Sequence, residues 1–227
     1  MIMKKTVLLT GATGNLGRAV TEHLQEKDYH IYAAVRAGGR LTATATLTPS
    51  VVDLSDEVAA ASFVRNGLET FGHIPHAVLT VGGFAMGHAR DTSATDIEKM
   101  IQINFYSAWH IIHPLYRAME EKGFGRIVLI GARPGLEPDG GSAMLAYTLS
   151  KSLLFSLAGA LNAESRQSGV ITSVIVPSVI DTPANRRAMP DADFSAWVTP
   201  RAIAEITAFA LESRDLREPL FKVYGKL

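Results

Sequence analysis

The sequence predicts an α/β fold, a doubly wound and mainly parallel sheet of seven strands with helices on both faces, in a single domain. Short runs rich in Val, Ile and Leu alternate with longer stretches of helical period, the pattern of repeated βαβ units. A glycine-rich turn follows the first apolar run directly. No Pro/Gly/Ser linker, repeat or low-complexity tract divides the 227 residues, and 47% hydrophobic content is enough to bury one core.

The strands are expected near Thr6–Thr10, Ile31–Val35, Leu47–Val52, Ala77–Val81, Ile127–Ile130 and Thr172–Val176, with a weaker one at Leu220–Tyr224. Helices are expected near Leu16–Glu26, Asp56–Thr70, Thr95–Lys122, Ala143–Ser168 and Pro200–Ser213. Ser93 with Asp96 can form a capping box, and Thr199 with Pro200 supplies an N-cap and a first-turn proline. The Thr/Ala stretch Leu41–Leu47 reads as a surface connection.

Composition excludes several classes. The 22 basic and 22 acidic side chains cancel, so no field recruits nucleic acid or an anionic membrane, and a small-molecule partner is expected. The absence of Cys excludes a disulfide framework, a thiolate metal site and a cysteine nucleophile. The basic start and apolar run of MIMKKTVLLTGATG are too short before the glycine turn for a signal peptide and read as a buried strand. The longest apolar tract, Ala143–Leu161, carries Lys151 and several serines and does not read as a membrane span. A soluble, cytoplasmic protein is expected.

Thr10-Gly11-Ala12-Thr13-Gly14-Asn15-Leu16-Gly17 closes the first strand and opens the first helix, the context that gives a glycine motif meaning. Gly11 permits a tight turn, Gly14 lets the backbone approach a pyrophosphate, and Gly17 allows the helix to pack on the strand. Thr13, Asn15 and Leu16 complete the loop, whose N–H groups and helix dipole favour phosphates. The alternative is a turn whose glycines serve geometry only. A Rossmann-type site for a nicotinamide dinucleotide is the reading. An acidic residue at the end of the second strand suits NAD, whereas an Arg accommodates a 2′-phosphate. Arg36 stands there with Arg40 close behind, so NADP is expected over NAD unless Arg36 is only a solvated strand-end charge. Asp53 and Leu54 are placed for the adenine, or else belong to the cap of the next helix.

Tyr147 and Lys151 stand four apart in a helical stretch and share one face. Alone such a pair is ordinary, since a Tyr packs its ring and a Lys snorkels. Behind a nucleotide loop it acquires a chemistry: an ammonium beside a phenol of pKa about 10 stabilises the phenolate and makes Tyr147 an acid–base catalyst. The next strand ends in Val176-Pro177-Ser178-Val179-Ile180-Asp181-Thr182, at the strand ends where such folds bind ligands.

Together these motifs resemble the short-chain dehydrogenase/reductase superfamily over essentially the whole chain. The resemblance implies Tyr147 and Lys151 as the acid–base pair, Asn104 of Ile103-Asn104-Phe105 as the asparagine of a proton relay, and a nicotinamide end held by Pro177, Ile180, Thr182, Lys151 and Gly82. Val81-Gly82-Gly83 replaces the usual Asn-Asn-Ala-Gly, and the glycine loop differs by one position from the commonest subgroup. The catalytic Ser after the fifth strand is missing: the strand runs into Gly131-Ala132-Arg133-Pro134, and Ser142 reads as a helix cap. Losing a donor aimed at a carbonyl oxygen costs about 10²–10³ in rate by analogy with oxyanion holes, so an already electrophilic substrate is implied.

The dihydropteridine reductase branch shares that departure, and the resemblance to it is specific in Leu79–Phe84, Leu129–Ala132 and above all Asp181–Trp197. Arg36 stands where that branch has an acidic residue, and the segment from Ala132 to Tyr147 is somewhat longer. A quinonoid dihydropterin is the expected substrate, with Phe84, Met144, Met189 or Trp197 as walls; a general carbonyl or quinone reductase and a non-catalytic NADP-sensing regulator are the alternatives. No metal is expected: among His73, His76, His88, His110 and His113 only the last two form an i, i+3 pair on an expected helix, without Glu or Cys companions. The resemblance also implies a homodimer or homotetramer through the long third and fourth helices, around Trp109 and Phe155, whose apolar stripes would equally suit packing on the sheet.

Overall fold

The computed structural model describes residues 5–217 and 220–226; Met1–Lys4 of the basic start lie outside them. In chain order run β1 (Lys5–Thr10), α1 (Asn15–Glu26), β2 (Tyr29–Val35), β3 (Leu47–Val51), α2 (Glu57–Phe71), β4 (His76–Leu79), α3 (Ala94–Ile101), α4 (Ser107–Glu121), β5 (Gly125–Ile130), α5 (Arg133–Leu136), α6 (Leu145–Glu164), β6 (Val170–Pro177), α7 (Pro183–Ala188), α8 (Pro200–Glu212) and β7 (Leu220–Val223). The strands form one seven-stranded sheet in the order β3-β2-β1-β4-β5-β6-β7, with every neighbouring pair parallel.

Alternation along each strand divides the core. Leu8, Ala34, Leu79, Ile127, Leu129 and Val174 face the layer holding Phe63, Ile111, Leu115 and Leu154 of α2, α4 and α6. Val7, Leu9, Ile31, Val78, Val128 and Ile175 face Val20, Leu24, Ile203 and Leu211 of α1 and α8. Burial on both faces explains why the strands read as continuous apolar runs. The two expected caps at Ser93 and Thr199 are present, and Asp56 supplies a third. Asp56 accepts from Val58 N and Ala59 N, Ser93 and Asp96 close a capping box, and Thr199 accepts from Ala202 N ahead of Pro200.

Two expectations change. The single third helix is split: a π-helical turn, Gln102–Tyr106, joins α3 to α4. The fourth begins only at Leu145, with Met144 as N-cap and no side-chain cap, so Ser142 is an exposed hydroxyl ahead of the helix. Polar groups at the N-terminal rim are held in ways the sequence hides. The buried Arg126 guanidinium donates to the carbonyls of Gly125, Gly169 and Ser213 at 2.8–3.0 Å. His76 lies buried between the rings of Tyr29 and Phe124, with Nδ1 3.3 Å from the Thr6 carbonyl.

Burial pushes the His76 imidazole down to about 4. The unfolded chain takes that proton near 6.5, so between the two values it binds more protons than the fold, and stability falls as pH falls. The effect is worth about 3 kcal/mol at most. Urea midpoints at pH 7 and pH 4.5 should therefore differ less in His76→Phe than in the parent; an unchanged difference would show that another group carries the acid sensitivity.

Candidate active site

Ligands of doubly wound sheets bind beyond the carboxyl ends of the strands where the order reverses, here between β1 and β4. Gly11 leaves β1 with φ 73° and its carbonyl accepts from Gly14 N at 2.9 Å. A Cβ on Gly17 would collide with the Gly11 and Ala12 backbone, so the third glycine sets the packing of helix on strand. Gly14 caps α1 with no side-chain hydrogen bond, and no acidic residue occupies the first turn. The first N–H groups of this 12-residue helix are thus free of side-chain acceptors, the electrostatic form of a phosphate cradle. Thr13, Asn15 and Leu16 surround it.

A cleft of about 790 Å³ extends from this loop along β2, β3 and α2, lined by Gly11, Thr13, Arg36, Asp53, Leu54 and Phe63 among others. Asp53 accepts from Ser55 N and Oγ, which holds its carboxyl below the usual range, while the helix-capping role falls to Asp56. A smaller pocket of about 420 Å³ is lined by Thr13, Arg18, Arg36, Gly38, Gly39 and Arg40. Among the described residues none of these three arginines is paired with a carboxylate. Arg18 was missed from the sequence. Its signal is the spacing of four from Gly14, which returns it to the face of α1 that carries the loop.

The fold brings Tyr147, Lys151, Asn104 and Gly82 together on the other side of the switch point. Lys151 is 5% exposed and donates to the Ile130 carbonyl at 2.8 Å; burial brings its ammonium down to about 8. Burial also pushes the Tyr147 phenol up to about 12, opposite to the lowering expected from a neighbouring ammonium. The reason is that the protein alone offers Tyr147 desolvation without a compensating charge, since Lys151 is turned to a backbone oxygen. Tyr147 therefore holds its proton at neutral pH. Among the described residues its hydroxyl has no hydrogen-bond partner, and its ring meets Phe84 edge-on at 5.0 Å and 73°.

Asn104 sits in the π-helical turn, 1% exposed, and its carboxamide is fully engaged. Oδ1 accepts from Gly83 N at 2.9 Å, and Nδ2 donates to the Gly83 carbonyl at 3.1 Å and to Ser150 Oγ at 2.9 Å. Ser150 Oγ in turn donates to the Tyr147 carbonyl at 2.8 Å. A Cβ on Gly82 would lie 2.7 Å from Asn104 Oδ1 and 3.2 Å from Lys151 Nζ, so the bare glycine leaves room where the two side chains converge.

Ala132 is buried at the end of β5 and carries no hydroxyl. Gly135 lets α5 approach Lys151, whose Cβ would be 2.8 Å from a side chain there. Beyond Pro177, Ile180 forms a bridge with Val198, and Thr182 caps α7 by accepting from Asn185 N at 3.2 Å. Arg186 forks onto Asp181 and lies over Phe194, which contacts Trp197. Pro177 at the end of β6 and Ile180 and Thr182 in the loop after it thus lie outside the two pockets lined by Arg36. Among the described residues no group of three or more His, Asp or Glu could hold a metal ion, and no helix is long and apolar enough to cross a membrane. His110 is buried with Nδ1 3.0 Å from the Leu54 carbonyl, and His113 stacks on Trp109.

The family model described as short chain dehydrogenase matches residues 5–193. A cyclic-di-GMP-binding biofilm dispersal mediator protein of Escherichia coli K12 is 31% identical over 186 residues, covering 80% of this chain and 75% of its own. A dihydropteridine reductase of Dictyostelium discoideum is 26% identical over 206 residues, covering 89% and 86%. Among solved structures, ElxO with NADP bound superposes with a TM-score of 0.89 at 20% identity, covering 97% of both chains. With its fold, glycine loop and matched length taken together, the chain belongs to the short-chain dehydrogenase family and is an oxidoreductase of that family.

Proposed function

We propose that the protein is an NADPH-dependent reductase of a small, flat, electron-poor substrate, with a quinonoid dihydropterin as the leading example. The observation that carries this reading is a partly buried Tyr147 whose ring meets an exposed Phe84 edge-on, with no second hydroxyl at Ala132. A site with one proton donor and little polarising power suits a substrate that is already electrophilic. The Dictyostelium relative supports the substrate class, and the three unpaired arginines support the 2′-phosphate.

In this reading the first turn of α1, with Gly11, Thr13, Gly14, Asn15, Leu16 and Gly17, holds the pyrophosphate. Arg18, Arg36 and Arg40 hold the 2′-phosphate, and Asp53 and Leu54 the adenine. Gly82, Lys151, Pro177, Ile180 and Thr182 bound the nicotinamide end. NADPH, when bound, supplies the hydride and so both electrons of the reduction. Tyr147 gives the proton from its hydroxyl to the substrate atom that gains negative charge, and solvent returns a proton to Tyr147. The same reading takes the protein as a homodimer or homotetramer through α4, the π-helical turn before it and α6, where Ile103 and Tyr106 of the turn and Leu149 of α6 are exposed.

A second reading, a nucleotide sensor without redox chemistry, draws on the missing hydroxyl at Ala132 and on the cyclic-di-GMP-binding relative. Tyr147→Phe separates the two. With quinonoid dihydropterin, the variant should lose about 10²–10⁴ in kcat while its NADPH Kd is unchanged. Wild-type protein that binds NADPH and never oxidises it would favour the sensor. The wild-type rate should be level at neutral pH and decline above about 8, where Lys151 loses its charge.

Cofactor choice is checked by steady-state kinetics of Arg36→Asp, in which the ratio of kcat/KM for NADPH over NADH should drop at least tenfold, consistent with about 1.5–3 kcal/mol for a charge-assisted hydrogen bond. A wild-type preference for NADH would overturn the assignment. Ala132→Ser places a hydroxyl where the family carries its catalytic serine and should raise turnover of simple ketones by about tenfold or more, with a smaller gain for the quinonoid ring. Equal gains for both would show that polarisation is not what selects the substrate.

A further inference from the structure

We propose that Glu137 is a positioning residue: its carboxylate ties the end of β7 to α5, and through that strand end holds the loop after β6 that bounds the nicotinamide end. The role of the loop in catalysis rests on the reductase reading, whereas the anchoring stands on contacts of its own.

Three donors from two distant parts of the chain converge on the Glu137 carboxylate. Lys222 Nζ and Tyr224 Oη donate to Oε1 at 2.8 and 2.9 Å, and Arg133 Nε donates to Oε2 at 3.0 Å. The Arg133 guanidinium lies 4.8 Å and the Lys222 ammonium 5.8 Å from the centre of the Tyr224 ring. A lone ion pair on a surface contributes little, but two cations that share one carboxylate and one aromatic ring form a network with a defined geometry. Lys222, Tyr224 and Arg133 together bring the carboxyl down to about 2, so the network is charged across the neutral range. Among the described residues neither Arg133 nor Lys222 is paired with another carboxylate. Removing the carboxylate would leave two like charges over one ring and push the end of β7 away from α5.

Both sides of the network lead to the candidate site. On one side α5 follows Ala132 directly and packs on α6 at Gly135, where any side chain would meet the backbone of Lys151 and Ser152. On the other side the end of β7 holds the loop after β6 at its start and at its finish. At the start Ser178 N donates to the Val223 carbonyl at 3.0 Å and Ser178 Oγ to the Tyr224 carbonyl at 2.8 Å. At the finish Gly225 has φ 75°, and a Cβ there would run into the Ala196 carbonyl, so its bare backbone lies against Ala196 and Trp197. Asp193, held below the usual carboxylate range first by Ser195, also feels the charge of Lys226. The loop is closed at its base as well: Asp181 N donates to the Val198 carbonyl at 2.7 Å and Val198 N to the Val179 carbonyl at 2.9 Å. Its two ends are therefore fixed to each other, and both rest on residues 223–226. Glu137 is the link from those residues to the helix that carries Tyr147 and Lys151.

The loop contains Arg186 and Arg187, so limited trypsin digestion followed by mass spectrometry reads its opening directly. Glu137→Ala should be cut after these two residues about tenfold faster than wild type, with cutting elsewhere unchanged. With NADPH and quinonoid dihydropterin its kcat should fall about tenfold or more while the NADPH Kd stays within about twofold, because the phosphate contacts are untouched and only the reacting end is misplaced. Tyr224→Phe, which removes one hydroxyl and leaves the ring, should move both readouts in the same direction by less. Tyr224→Phe/Glu137→Ala should be no worse than Glu137→Ala alone, since residues of one network are not additive. Equal cutting of the loop in Glu137→Ala and wild type overturns the anchoring. Faster cutting at every accessible Lys and Arg, with a lowered urea midpoint, overturns it too, because that is general destabilisation. Faster cutting of the loop with unchanged kcat overturns the role in the reaction. Trypsin digestion needs no turnover, so a wild type that reduces no substrate fails the reductase reading, and the cutting of the loop still decides whether Glu137 holds it.

Discussion

A parallel sheet covered by helices on both faces leaves only its rims for chemistry. Every strand from β1 to β6 enters the sheet from the same end, so the carboxyl ends of β1, β2, β4, β5 and β6 deliver the glycine loop, Arg36, Gly82, Ala132 and Pro177 to one edge. The reversal of strand order between β1 and β4 opens that edge into a cleft. The opposite rim does structural work instead, with Arg126 tying carbonyls together and His76 enclosed by rings.

Within the cleft, desolvation decides protonation. The same burial that pushes Tyr147 up brings Lys151 down, because one group is charged when it loses its proton and the other when it keeps it. Tyr147 is thereby held as a donor and Lys151 near the border of its charged range. Neither state could be assigned from spacing, since a Tyr and a Lys one turn apart on an exposed helix would titrate close to their ordinary values.

The hydrogen bonds around Asn104 join three parts of the chain that are distant in sequence: the loop after β4, the turn between α3 and α4, and α6. Gly82 makes this convergence feasible, as any side chain there would crowd Asn104 and Lys151. The departure from the usual family motif at Val81-Gly82-Gly83 thus coincides with the place where the amide and the ammonium converge.

Periodicity and punctuation were sufficient to find all seven strands, the capping box at Ser93 and the cap at Thr199, because those features are set by residues within a few positions of one another. The glycine loop and the Tyr147/Lys151 pair were legible for the same reason: each depends on spacing along one element. The split of the third helix was not, because its apolar period continues through Gln102–Tyr106 and only contacts with Gly83 and Ser150 draw Asn104 inward. Ser142 was misread because the helix start is fixed by the pairing of Gly87 with the Ala143–Leu145 segment, which no local signal announces. Arg18 joined Arg36 and Arg40 only when the first helix packed beside the end of β2. The sequence by itself determined the layers of this protein and the chemical character of its residues; the tertiary structure decided which charges are buried, which stay unpaired and which ring faces the proton donor, because burial and contact across elements are properties of the packed chain.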